Sequence, residues 1–234
     1  MRRQTVGHPS VEGWTVFFWL LKHILLGPFL RLLFRPKVSG TVPKGPGIIA
    51  ANHLSFCDSL FLPLVVPGQL VFIGKDDYFV RKGIKGRVMA AFFRGVGTIP
   101  VDRRGGSEAA DALETALRVL KEGRLFGIYP EGTRSPDGRL YRGKTGVARL
   151  AVESGAPVHP CALIGTDDIQ PTGYRMPRKI MRPVIRFGEP LSYSEGADLR
   201  KATDEIVAAI QALSGQEYVD VYASSVKKGD VKTD

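Results

Sequence analysis

His53 and Asp58 are the residues in this 234-residue chain whose types and spacing most directly suggest chemistry. They stand five positions apart in the segment IIAANHLSFCDSLFLP. A five-residue step turns about 140° around a helix, and in a strand an odd step changes faces, so neither regular element brings the two side chains together. A strand ending near Asn52, a turn, and a helix opening at Ser55 would do so. Ser55 is then a good N-cap, and Asp58 falls at the third helical position, as in a capping box. In that arrangement the carboxylate fixes the tautomer of the imidazole and balances the charge it gains on accepting a proton. The chemistry would be general-base activation of a hydroxyl, an effect of about 10²- to 10⁴-fold in rate. Taken alone, an HxxxxD pair is more often a capping aspartate beside a polar loop histidine.

Two later segments add weight to the catalytic reading. RGVGTIPVDRRGG places Arg103 and Arg104 just past an apolar run, among glycines. IYPEGTRSPDG places Glu131, Gly132, Thr133 and Arg134 directly after another. Loops at the carboxyl ends of strands are where open α/β sheets bind ligands. Arginine offers paired donors matched to phosphate oxygens, and glycine lets the backbone come close. Lys144, at the head of the next helical pattern, adds a cation where helix-end N–H groups also favour anions, and Lys75 is a weaker candidate. Arg104 and Arg139 read equally well as solvated turn residues. For Glu131 three roles stay open: holding a cation, binding an acceptor hydroxyl, or shaping the loop.

These side chains need a scaffold, and the rest of the chain supplies its pattern. Apolar runs at 47–51, 70–74, 96–101, 125–129, 157–164 and 183–187 read as strands. Helical patterns occupy 107–122, 144–154 and 198–213, the last opened by Asp198 and closed near Gly215. Such alternation argues an α/β fold, one domain with a mostly parallel or mixed sheet flanked by helices. With 44% apolar residues the chain can build a full core without metals or disulfides. Cys57 and Cys161 form no disulfide framework, the four histidines have no zinc spacing, and a cytoplasmic setting with no metal site is expected.

Residues 14–34, WTVFFWLLKHILLGPFLRLLF, are the most apolar stretch. Lys22 and His23 interrupt it, and Gly27-Pro28 is expected to break or kink the helix, giving a helical hairpin. Two short helices lying in one leaflet fit best, with Lys22, Arg31, Arg35 and Lys37 toward the headgroups. A tilted span and a helix that merely caps the core are the alternatives. The expected organisation is therefore membrane-interface helices over 1–36, an α/β domain over 37–223, and a frayed tail over 224–234. The net charge of +10 suits a polyanionic partner such as an anionic membrane surface or a phosphate-bearing ligand. No helix-turn-helix, zinc or aromatic RNA-binding signature supports nucleic acid, and no GxSxG elbow supports a serine hydrolase.

In order, the segments resemble the glycerolipid acyltransferase family, which includes the bacterial 1-acylglycerol-3-phosphate acyltransferases. NHLSFCD is similar to its NHxxxxD motif, at Asn52, His53 and Asp58. GTIPVDR, ending at Arg103, is similar to the second motif, YPEGTRS to the third, and GAPVHPCALIG to the fourth. Tyr129 departs from the more usual phenylalanine, and His159 stands inside the fourth motif. The resemblance implies His53 and Asp58 as catalytic residues. It implies Arg103, Glu131, Gly132, Thr133 and Arg134 as the phosphate site, with Asn52 in support, and the residue pattern adds Lys144 to that site and Ser55 and Lys75 to its support. It further implies an acyl-CoA or acyl-acyl carrier protein donor, a lysophospholipid acceptor, no resident cofactor, and monotopic attachment to the cytoplasmic face of a membrane.

Overall fold

The alternation of side chains along one central strand divides the core in two. The computed structural model describes residues 18–75, 83, 86, 90, 97–101, 108–174 and 176–228. In it β2 (Gly47–Ala51) is buried at all five positions. Ile48 and Ala50 join one apolar cluster, Ile49 and Ala51 the other, as befits a parallel strand covered on both faces. β7 (Val158–Ile164) and β5 (Leu125–Ile128) flank it, both parallel. Beyond β5 lie β3 (Leu70–Lys75) and β4 (Thr98–Val101), also parallel. On the other side β8 (Val184–Phe187) runs antiparallel to β7, and β1 (Lys37–Ser39) pairs parallel with β8. The sheet order is β1-β8-β7-β2-β5-β3-β4, and a small second sheet pairs β6 (Leu140–Tyr141) with β9 (Tyr218–Val219). The mostly parallel, mixed α/β fold is the expected one, with element ends within a residue or two of the apolar runs.

One face carries α3 (Glu108–Lys121), α4 (Gly146–Ser154) and α6 (Leu199–Ser214), which bring Ala116, Val119, Leu150, Ile206 and Ile210 onto Ile48 and Ala50. Asp198 caps α6 by accepting from the Arg200 and Lys201 amides, and Gly215 closes it in the left-handed region. The other face carries α1 (Leu26–Phe34), α2 (Asp58–Val65) and the short α5 (Thr166–Ile169). Phe34 of α1 meets Phe61 of α2 edge to face, with centroids 5.2 Å apart.

Three expectations need correcting here. First, the chain does not break at Gly27-Pro28. Residues 18–34 follow one helical path, with a π-turn over Leu21–Leu25 leading into α1, so no hairpin is formed among the described residues. Pro28 directly follows the π-turn, in the first turn of α1. The widened turn brings the Lys22 carbonyl against Gly27, where any Cβ would collide with it. Among the described residues no helix is long and apolar enough to cross a membrane.

Second, Lys22 does not point outward, and the exposed Arg31 turns its guanidinium back onto the protein. Lys22 is buried, and its ammonium donates to the Val66 carbonyl and, at 2.9 Å, to that of Gly68. Arg31 donates to the Leu64 carbonyl at 2.7 Å. Both answer acceptors left over at the carboxyl end of α2, where cations are favoured. Burial, reinforced by the Arg31 charge, pulls the Lys22 ammonium down to about 8. Third, the tail is not frayed from 224 onward, because α7 (Ala223–Lys228) continues the chain and Ala223 is buried. Lys227 of α7 reaches back to the EGTR loop, a long-range contact that the polar composition of the tail conceals.

Candidate active site

Parallel neighbours end on the same edge of a sheet, so β2 and β5 deliver their following loops side by side. β2 leads into Asn52 and His53, and β5 into Tyr129 and the EGTRS loop. Asn52 is fully buried and extends the β2–β7 pairing, its amide donating to the Leu163 carbonyl at 2.9 Å and accepting from the Leu163 amide at 2.7 Å. That pin fixes where the chain turns at His53.

The turn brings the expected pair together. His53 Nδ1 lies 2.8 Å from Asp58 Oδ2. The same oxygen accepts from the amides of Leu54 and Ser55, each at 2.7 Å. The reciprocal bond of a capping box is therefore present, although the α-helix proper starts at Asp58, three residues later than anticipated. Ser55 is buried, donating to the Gln170 carbonyl at 2.7 Å and accepting from the Cys57 amide. Asp58 is fully buried, whereas the His53 side chain is 17% exposed. With Nδ1 committed to the carboxylate, Nε2 is the nitrogen left to face a substrate. Asp58 thus both holds the turn that leads into α2 and braces the imidazole.

Tyr129 lies flat on His53, with ring centroids 3.9 Å apart at 9°, and Phe72 continues the stack at 5.4 Å. The Tyr129 hydroxyl is 3.2 Å from Ser59 Oγ on α2. Burial, and then the Asp58 charge, pushes that phenol well above its ordinary range. Sequence reasoning noted Tyr129 only as a departure from phenylalanine, since a stack across two loops leaves no trace in local spacing. Cys57 is inert here. It is buried, sits 3.1 Å from Gln170 Oε1, and burial is the main reason its thiol is pushed up to about 11. His159 pairs in register with Ile49 and packs against Gly47, toward the opposite end of β2 from His53, and is no second base.

The EGTRS loop is tied to His53 at both ends. The His53 amide donates to Glu131 Oε2 at 2.8 Å, and the Ser135 amide donates to the His53 carbonyl at 2.7 Å. Thr133 and Arg134 stand in the loop that is thereby fixed to the His53 backbone. Gly132 has φ of +73°, a conformation that favours glycine, and the Lys144 side chain lies across it. Lys227 adds a third cation, 3.0 Å from Thr133 Oγ1. Arg139 pairs with Asp137 at 2.8 Å, the turn-residue role. Arg103 lies outside the described residues, as does Arg104. Lys75 ends β3, its backbone in register with Val101, and its side chain also lies outside them.

Glu131, grouped by sequence with the phosphate ligands, turns the other way. It is buried and accepts from backbone amides, which fits the loop-shaping reading among the three left open. Burial outweighs those bonds and pushes its carboxyl up to about 8, so near neutral pH it keeps its proton and adds no negative charge beside an anion. Because the folded value lies above the ordinary 4.5, this group's contribution to stability is full below about 4.5 and is lost as pH rises through about 8. Glu131→Gln keeps an acceptor for the His53 amide and removes the titration. Its melting temperature is expected to fall less than the parent's between pH 5 and pH 8, as read by thermal denaturation. Parallel curves would refute the shift.

The family model described as Acyltransferase matches residues 35–164, from the end of α1 through β7. The chain is 36% identical over 176 residues to the 1-acyl-sn-glycerol-3-phosphate acyltransferase LPAT1, chloroplastic, of Arabidopsis thaliana, covering 72% of this chain and 48% of that protein. It therefore spans about half the length of that relative. It is 30% identical over 169 residues to the 1-acyl-sn-glycerol-3-phosphate acyltransferase of Bacillus subtilis (strain 168), covering 71% of this chain and 77% of that one. The crystal structure of the 1-acyl-sn-glycerophosphate (LPA) acyltransferase PlsC from Thermotoga maritima is similar at a TM-score of 0.63 and 25% identity, over 89% of this chain and 84% of that one. Motif order, the braced imidazole and a family match over more than half of the sequence lead to one assignment: the chain belongs to the acyltransferase family.

Proposed function

We propose that this chain moves a fatty acyl group from a thioester carrier, acyl-CoA or acyl-acyl carrier protein, to the free hydroxyl of lysophosphatidate or a closely related glycerol-phosphate lipid, in phospholipid synthesis. The observation that carries the reading is the 2.8 Å contact between His53 Nδ1 and Asp58 Oδ2, with the EGTRS loop bonded to both sides of the His53 backbone. His53 Nε2 takes the proton of the acceptor hydroxyl as its oxygen bonds to the thioester carbonyl carbon. Collapse of the tetrahedral adduct breaks the C–S bond, and the proton passes from the imidazolium to the departing sulfur. The acceptor oxygen is itself the nucleophile, so no acyl-enzyme is required and the step calls for no resident cofactor. Arg134 and Lys144, with Arg103, hold the acceptor phosphate and so fix the hydroxyl against the base, the kind of positioning that lowers barriers substantially.

Membrane attachment forms part of the same reading. The N-terminal helical run is apolar on both sides. Leu30 and Phe34 face the core while Trp19, Ile24, Phe29 and Leu32 are bare, a face suited to the boundary of one leaflet. The test is thiol release from palmitoyl-CoA across a panel of lysolipid acceptors. Lysophosphatidate is expected to give the highest kcat/KM, and Arg134→Ala to raise the KM for that acceptor most. Equal rates with and without any acceptor would end the proposal.

A further inference from the structure

The loop between α5 and β8 has a composition that neither the active site nor the core uses. Met176 and Ile180 are 73% and 66% exposed, and Arg178, Lys179 and Arg182 stand among them. The loop is nonetheless anchored. The Arg178 amide donates to the Ile169 carbonyl at 2.7 Å, Gln170 donates to the Tyr174 carbonyl at 2.9 Å, and Met181 packs inward on the core. Arg178 also lies over the Tyr174 ring at 4.6 Å. A groove joins this loop to the bare end of α1, with Phe29, Leu32 and Arg35 on one wall and Ile180 and Arg182 on the other. Phe29 and Leu32 are themselves 57% and 71% exposed. Asp168, 3.6 Å from Lys179, offsets one charge and leaves the segment cationic.

From this we infer that Tyr174 and residues 176–182 form a second membrane contact, in which Ile180 and Met176 enter the headgroup boundary beside α1 while Arg178, Lys179 and Arg182 pair with anionic phospholipid. The inference rests on the membrane reading of the N-terminal helix and extends it to a distant part of the sequence. Apolar side chains interleaved with cations are the chemistry of an anionic bilayer surface. A soluble polyanion would leave the apolar groups uncovered.

The test is co-sedimentation of the full chain with vesicles of phosphatidylglycerol and phosphatidylcholine in equal parts, against phosphatidylcholine alone. Arg178→Gln with Lys179→Gln is expected to weaken binding to the anionic vesicles by about tenfold or more, and Met176→Asp with Ile180→Asp to weaken binding to both. Thiol release on detergent-dispersed acceptor should stay at the parent level, which also reports intact folding. Parent-like binding by both loop pairs overturns this inference. Parent-like binding by Phe29→Asp with Leu32→Asp overturns the helix reading instead, so the two failures are distinguishable. As a second measurement, Ile180→Cys is labelled with an environment-sensitive fluorophore, the native Cys57 and Cys161 both being buried. A blue shift on adding anionic vesicles is expected, and no shift refutes insertion.

Discussion

His53→Ala is expected to lower kcat for acyl transfer by about 10²- to 10⁴-fold, the range supplied by a positioned general base, while vesicle binding stays at the parent level. No other imidazole among the described residues can take its place. His159 lies toward the far end of β2, and His23 stacks against Trp19 on the N-terminal helix at 5.4 Å. The His53 side chain contributes no hydrogen bond except that to Asp58 among the described residues, whereas its backbone carries the two bonds that hold the EGTRS loop. Alanine keeps that backbone, so the loop and the acceptor KM should survive while the chemical step fails. The measurement is steady-state thiol release with melting temperature alongside. Turnover near that of the parent would remove the base assignment.

Asp58→Asn separates bracing from charge. Oδ2 accepts from two backbone amides and from the imidazole, so an asparagine must place its carbonyl oxygen there. The ring then keeps its orientation and tautomer but loses the negative charge that balances the imidazolium. A fall in kcat of about 10²-fold or more is expected with little change in acceptor KM. Oδ1 is buried with no hydrogen-bond partner among the described residues. The new amide would therefore stand unsatisfied there, at a cost of about 1–3 kcal/mol of stability. If Asp58 were only a helix cap, asparagine would serve nearly as well and activity would persist. Asp58→Ala, by contrast, strands three donors and should chiefly destabilise the fold.

Features set by neighbours along the chain could be read from the sequence, and those set by distant partners could not. β2 matches its apolar run because each of its residues is buried, and Asp198 announces α6 because capping is a local exchange between a side chain and the next two or three amides. HxxxxD fixed its own turn for the same reason. Lys22 and Arg31 misled, since nothing near them reveals the free carbonyls at the end of α2. Gly27-Pro28 misled because a π-turn absorbs the disruption that an ordinary helix would show. Glu131 stood among phosphate-site residues in the sequence yet faces an amide 78 positions away. Lys227 belongs to a segment too polar to suggest packing, and its contact with Thr133 spans 94 positions.

The bonds from Lys22 and Arg31 to the far end of α2 acquire a mechanical meaning once the other end is considered. Asp58 is the first residue of that eight-residue helix, a rod about 12 Å long. The apolar N-terminal run and the carboxylate that braces His53 are thus fastened to opposite tips of one stiff spacer. Its length sets how far the imidazole stands from that bare apolar surface, a spacing that the proposed membrane contact would turn into a fixed height above the acyl chains.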